Sequence, residues 1–152
     1  MVGNIEDVTW TDSTCPVART IDLVGDRWSL LIIRDAMDGA RSFTDFQQRT
    51  GVARNILTER LRRLVDRGLL RREAAASGRR QHYVLTDAGR DFFTVIVALR
   101  QWGERHVFED GEPRSVLVDA DGHVLAEMRP VDSDGRAVNA DSTVVVRPAG
   151  VS

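Results

Sequence analysis

The chain contains one cysteine, Cys15, and no lysine. A single thiol excludes an intrachain disulfide framework and any cysteine-cluster zinc site. Long apolar runs are missing too. The stretches around Leu30–Ile33 and Val95–Leu99 fall well short of the roughly 20 residues that span a bilayer, so no membrane span is expected. Met1–Trp10 holds Glu6 and Asp7 but neither a basic region nor an apolar one, and does not read as a secretory signal. The expected compartment is the cytoplasm. His82, His106 and His123 fall in a hairpin, a helix end and a turn, without a Ser/His/Asp or His-x-x-x-His pattern. There is no Gly-rich phosphate loop of the usual types. No enzyme activity and no cofactor are expected.

What is present fits one ordinary domain, or a small domain with an appendage: 152 residues, 42% apolar and 29% charged. The net charge of −2 hides a segregation. Residues 1–40 carry 3 Arg against 7 acids, residues 41–90 carry 12 against 5, and residues 91–152 carry 6 against 11. A basic middle between acidic ends points to a polyanion-binding segment in a molecule that would not otherwise cling to nucleic acid. All 21 basic residues are arginine. Arginine suits bidentate recognition of phosphate and guanine, although genomic base composition also accounts for a lack of lysine.

Hydrophobic spacing and capping residues divide the chain into elements. Pro16–Val24 is predicted as a helix closed by Gly25, and a second helix opens at Asp26 or Arg27 and runs to Met37, nearly apolar all round and therefore central. Phe43–Thr50 is a short helix ended by Gly51. Ala53–Arg67 has the clearest pattern, with Ile56, Leu57, Leu61, Leu64 and Val65 on one face and Gly68 as its stop. Leu69–Glu73 and Arg79–Leu85 read as a hairpin around a glycine-containing turn. A last helix starts at Thr86 and continues to about Val107. Its apolar positions cover more than one stripe, which points to dimerisation. From Asp110 onward, Ser115–Val118, His123–Met128 and Thr143–Arg147 read as short strands between Asp-Gly turns. The expected fold is mainly α with a β-hairpin wing: a winged helix-turn-helix domain over 1–108 and a small β appendage over 109–152.

A helix that docks its apolar face on its own domain leaves the other face and its N-terminal turn for the DNA major groove. On the 53–67 helix that outer face carries Arg54, Asn55, Thr58 and Arg62. These types read guanine, adenine, the thymine methyl group or phosphate, and the alternative is an ordinary solvated face. Arg79 and Arg80 sit beside Gly78 at the hairpin tip, within reach of the backbone or minor groove.

Several separated motifs carry a family resemblance over about residues 13–108. They are Cys15-Pro16, Asp22–Gly25, Trp28, Leu30–Asp35, Arg41-Ser42-Phe43 with Phe46, Leu57–Leu61, Leu64, Gly68-Leu69 and Tyr83–Arg90. Together they resemble the HxlR family of bacterial winged-helix regulators, relatives of the MarR type. The resemblance implies a homodimer joined through its N- and C-terminal helices, with two recognition helices on a pseudo-palindromic double-stranded operator, in repression or activation, and a repressor is the expectation. By position, Arg54, Asn55 and Thr58 would read bases, while Arg62, Arg79 and Arg80 would hold phosphates or the minor groove. The alternatives are a winged-helix protein-interaction module and a sequence-indifferent architectural DNA binder.

Regulation has two candidate routes. Cys15 stands at a helix N-cap, where the dipole favours a thiolate, and some members of the family sense oxidants or electrophiles through a cysteine here; the alternative is an inert residue in the dimer contact. Trp28, Phe43, Phe46 and Trp102 are a candidate small-molecule pocket, or else plain core. The tail resembles, in degraded form, a zinc-ribbon-like knuckle that ends some longer family members. Asp121-Gly122-His123 and Asp132-Ser133-Asp134-Gly135 occupy the comparable places. Thiolates are absent there, so no metal is expected. Solvated turn aspartates stand against a weak hard-cation site formed by Asp119, Asp121, Asp132 and Asp134.

Overall fold

The computed structural model describes Gly3 and residues 5–150. Helices form where local caps and spacing dictate. Helix α1, Pro16–Val24, starts on proline, with Cys15 as N-cap. Helix α2, Arg27–Met37, is capped by Asp26, whose carboxylate accepts from the amides of Trp28 and Ser29. Helix α3, Phe43–Thr50, opens on a reciprocal Ser42–Asp45 capping box and closes on Gly51 at φ 67°. Helix α4, Arg54–Asp66, ends in a Schellman motif: the Gly68 amide donates to the Val65 carbonyl and the Leu69 amide to the Leu64 carbonyl, both at 2.9 Å.

Strands β1, Leu70–Ala74, and β2, Gln81–Leu85, pair antiparallel from Leu70↔Leu85 to Ala74↔Gln81. The Tyr83 amide also donates to the Arg41 carbonyl at 2.8 Å, which ties the segment before α3 to the hairpin. Arg79 and Arg80 lie in the loop and not, as the sequence predicted, in the second strand: the Ala75 amide closes that loop on the Arg80 carbonyl at 2.8 Å, with Gly78 at φ 67°.

The packing divides the chain into two units, Met1–Ile96 and Val97–Ser152. In the first, α2, α3, α4 and the hairpin surround a core in which Ile32, Ile33, Phe46, Leu57, Leu61 and Leu64 are fully buried. Each such side chain contributes roughly 1.5–3 kcal/mol by leaving water.

The last helix is not continuous. Helix α5, Asp87–Asp91, is capped by Thr86, and helix α6, Phe93–His106, follows after Phe92, whose amide turns to the Arg90 carbonyl. The break lies just beyond Gly89, where the backbone presses so close to the Leu69 carbonyl that a Cβ would come within 2.2 Å of its oxygen.

In the second unit the appendage hydrogen-bonds to the later turns of α6. Arg100 donates to the Ser115 carbonyl, Gln101 donates to the Ala126 carbonyl, and the Met128 amide donates to Gln101 Oε1. Among the described residues the three tail strands do not form. Single bridges, Val118↔Val124 and Val131↔Ala137, stand in their place, with a 3-10 turn at Ala140–Ser142. A strand needs a face to bury and a partner to pair with, and Val144, Val145 and Val146 stay at least 78% exposed.

The two bridges frame one repeated turn, Asp119–His123 and Asp132–Arg136. In each, the leading aspartate accepts amides two and four residues on, and a glycine sits at positive φ, Gly122 at 86° and Gly135 at 81°. The knuckle-like turns therefore stand on carboxylate hydrogen bonds, which is what occupies Asp119 and Asp132.

Candidate nucleic-acid interface

The turn between α3 and α4 sets the interface. Gly51 reverses the chain, Val52 is buried, and α4 begins at Arg54. Leu57, Leu61 and Leu64 are completely buried on one side, and Arg54, Asn55, Thr58 and Arg62 are all exposed on the other. The structure therefore brings the four predicted α4 residues onto one open face.

Their local states differ. The Arg54 guanidinium lies 4.8 Å from the centroid of the Phe43 ring, a cation–π contact that orders it from α3. The Thr58 hydroxyl donates to the Arg54 carbonyl at 2.9 Å, which leaves its methyl group and lone pairs for an outside contact. Arg62 pairs with Asp66 at 2.7 Å and with Glu59 at 3.8 Å, all on one exposed helix surface, where such pairs are weak and a phosphate can displace them. Asn55 has no side-chain hydrogen bond within the protein among the described residues. Ala53 supplies no side-chain cap, so the first amides of α4 stay open as donors at the positive end of the helix dipole. Arg79 and Arg80 are exposed on the wing loop and have no acidic partner among the described residues, and the same holds for Arg72 on β1. Arg72 was missed at the sequence level; its only signal was a second arginine beside Arg71.

Two arginines of the basic segment hold the interface in place and do not face outward. The Arg60 Nε donates to Asp26 at 2.9 Å, and Arg60 also pairs with Glu59; Arg63 donates to the Asp22 carbonyl at 2.8 Å. Both bind α4 to the α1–α2 junction. Burial works against the charged form of Asp26, but hydrogen bonds from Ser29 and Arg60 outweigh it and hold the carboxyl below its ordinary 3.8. A depressed folded-state value means that this stabilisation is fully present above pH 3.8 and is lost as pH falls through the folded value. An Asp26→Asn variant is therefore expected to melt at a lower temperature at pH 7. The gap from the unmodified protein should begin to narrow below about pH 4 and close as pH falls through the folded value, which thermal melts from pH 7 down to about pH 2 would register.

The other candidates each have their own local surroundings. Cys15 is partly buried, and its Sγ accepts the Ala18 amide at 3.4 Å. Phe46 is wholly buried with its ring edge-on to Tyr83, Phe43 lies under Arg54, and Trp28 lies under Arg27 at 4.7 Å. Trp102, in the second unit, is 57% exposed and stacks near His106. Asp119, Asp121 and His123 place ligand atoms within 4.8 Å of one another, all on exposed residues. Among the described residues, no helix is long and apolar enough to cross a membrane.

Residues 23–110 match the model of the HxlR-like helix-turn-helix family. The chain belongs to that family. This HxlR-like chain is 46% identical over 92 residues to an uncharacterized HTH-type transcriptional regulator of Mycobacterium tuberculosis, a match that covers 60% of this chain and 58% of the relative. A second relative, the uncharacterized HTH-type transcriptional regulator YdeP of Bacillus subtilis, is 31% identical over 60% of this chain and 73% of its own. The chain thus spans little more than half the length of the mycobacterial relative. Among solved structures, PA1607, a candidate transcription factor, aligns with TM-score 0.85 and 43% identity over 90% of this chain and 97% of its own. That span takes in most of the appendage. The reduced form of the redox regulator HypR aligns with TM-score 0.56 and 29% identity over 61% of this chain and 96% of its own. The winged helix-turn-helix expectation and the HxlR resemblance both hold, and these relatives are named as regulators, not enzymes.

Proposed function

We propose that this HxlR-like protein is a homodimeric, sequence-specific DNA-binding transcriptional regulator, a repressor at a pseudo-palindromic operator. In each protomer α4 enters the major groove and the wing loop lies on the backbone or minor groove. The observation that carries the reading is the exposed face of Arg54, Asn55, Thr58 and Arg62, set directly behind the Gly51 turn and opposite three leucines with no exposure. Arginine and asparagine offer bidentate donors to guanine and adenine edges. The open amides of Arg54 and Asn55 and the unpaired Arg79 and Arg80 suit phosphate. Val17 and Ile21 on α1, and Val95, Leu99 and Trp102 on α6, are exposed apolar side chains of the kind that a partner protomer would cover.

Selection of bound sequences from a random duplex pool tests this reading. It should enrich an inverted repeat with half-sites about one DNA turn apart. Asn55→Ala should then cost roughly 1–3 kcal/mol at one base pair of each half-site and relax the preference there. An unchanged preference would place a different face of α4 in the groove. Salt-sensitive binding without enrichment would favour the architectural alternative, and no duplex binding would favour the interaction module.

A further inference from the structure

Residues 143–147 leave the 140–142 turn as a bare extended arm. The exit is fixed. The Asn139 carboxamide accepts the amides of Asp141 and Ser142, the Thr143 hydroxyl donates to the Asn139 carbonyl at 3.0 Å, and Thr143 itself is extended at φ −126° and ψ 151°. Beyond it Val144, Val145 and Val146 are 89%, 78% and 88% exposed. Successive side chains of an extended chain point to opposite sides, so both faces of the arm are uncovered. Its edges are open as well, because no backbone amide or carbonyl of residues 144–147 has a hydrogen bond among the described residues. Three consecutive β-branched residues with free edges are a template for strand pairing, and Pro148, which has no amide to give, ends it.

The charges at the two ends of the arm indicate its partner. Asp141 stands just before it and Arg147 closes it; both are exposed, and neither side chain has a hydrogen-bond or ion-pair partner among the described residues. Two copies of the arm laid parallel in register would set like charge on like. An antiparallel pair instead brings each Arg147 toward Asp141 of the other copy. The register centred on Val145 is the one that sets all three valines opposite valines. In it Val144 faces Val146 of the second copy, Val145 faces its own counterpart, and Thr143 faces Arg147, with Asp141 one same-face position beyond. That arrangement has a two-fold axis, the symmetry of a closed pair of identical chains.

We propose that residues 143–147 pair antiparallel with the same residues of a second copy and clasp the two appendages together. The clasp rests on the homodimer reading above and adds to it. Five residues a side bury far less than the roughly 800 Å² per partner of a stable interface, so the arms close a dimer held elsewhere and do not build one. Once two copies are joined, the arms meet intramolecularly, and even a weak strand pair then strengthens the association. The Asn139 turn preorganises the contact, since an arm that already leaves in one direction loses little freedom on pairing.

Cysteine cross-linking of the full-length protein tests the register, on a Cys15→Ser background that leaves no other thiol. Val145→Cys should form an intermolecular disulfide under mild oxidation. Val144→Cys and Val146→Cys should each stay unbridged alone, because their own counterparts lie more than about 7 Å away, yet bridge to one another when the two variants are mixed. Sedimentation velocity reads the strength of the contact. The Val144→Asp, Val146→Asp double variant should keep its circular dichroism spectrum, since both side chains are exposed. Its dimer dissociation constant should rise at least tenfold, because a tethered contact acts at an effective concentration on the order of millimolar. Arg147→Asp and Asp141→Arg should each weaken the dimer and together restore it. Equal bridging at all three positions, no bridge at 145 in a protein that sediments as a dimer, or an unchanged dissociation constant would each overturn the clasp alone. So would a dimer weakened by the double variant but never bridged at 145, for the arm would then lie on the body of the second copy. A chain that sediments as a monomer at every concentration would overturn the homodimer reading, and the clasp with it.

Discussion

Raising salt from 50 to 200 mM is expected to weaken operator binding about 1,000-fold, if a dimer neutralises six phosphates through Arg62, Arg79 and Arg80 of each protomer. The protein as a whole carries −2, so this loss would come from the local field of the basic segment and not from a general attraction to polyanions. The Arg79→Ala, Arg80→Ala double variant removes two unpaired wing cations per protomer. It should lower the slope of log affinity against log salt by about 4 for a dimer, close to one per phosphate contact, and weaken all sequences alike. Arg62→Ala should change the slope less cleanly, because the side chain leaves Asp66 and Glu59 when it takes up a phosphate. Fluorescence anisotropy at four salt concentrations, on operator and on random duplex, measures both quantities. A flat salt dependence would remove the DNA-binding assignment. A steep one shared equally by operator and random duplex would remove only the specificity.

Phe46→Ala is expected to destabilise the fold by about 3–5 kcal/mol, a large share of the roughly 5–15 kcal/mol that holds a domain of this kind together. The ring is fully buried, and its centroid lies 6.3 Å from that of Tyr83 at an interplanar angle of 77°. It thus joins α3 to the hairpin in the same place where the Tyr83 amide binds the Arg41 carbonyl. Truncation leaves a cavity at that joint, and Phe46→Leu should recover much of the loss by refilling it. Urea titrations by circular dichroism would give the difference. A cost below about 1 kcal/mol would mean that the ring is not part of the core and would return it to the set of pocket-lining candidates.

Helices α1 to α4 were legible almost to the residue because their boundaries are local chemistry. Pro16, Asp26, the Ser42–Asp45 box, Gly51 and Gly68 each act within a few positions of themselves. The faces of α4 were equally legible. Spacings of four and three between Leu57, Leu61 and Leu64 define the buried side, and the outward residues follow by geometry.

The basic count was legible as a sum, but its division was not. Arg60 finds Asp26 across 34 residues and Arg63 finds Asp22 across 41, so which arginines hold the helix in place and which face outward depends on how α4 lies on the α1–α2 junction. The single last helix failed for a similar reason, since Gly89 meets the Leu69 carbonyl only after the hairpin has folded back. The tail strands failed because short valine-rich runs indicate β structure only where another strand or face receives them. What the sequence determined by itself is whatever is carried within a turn or two of backbone: caps, stops, helix faces and the charge of the basic segment. Which cations stay free and where the last helix breaks were decided only by the tertiary structure, because those outcomes depend on contacts between residues that only the packed chain brings together.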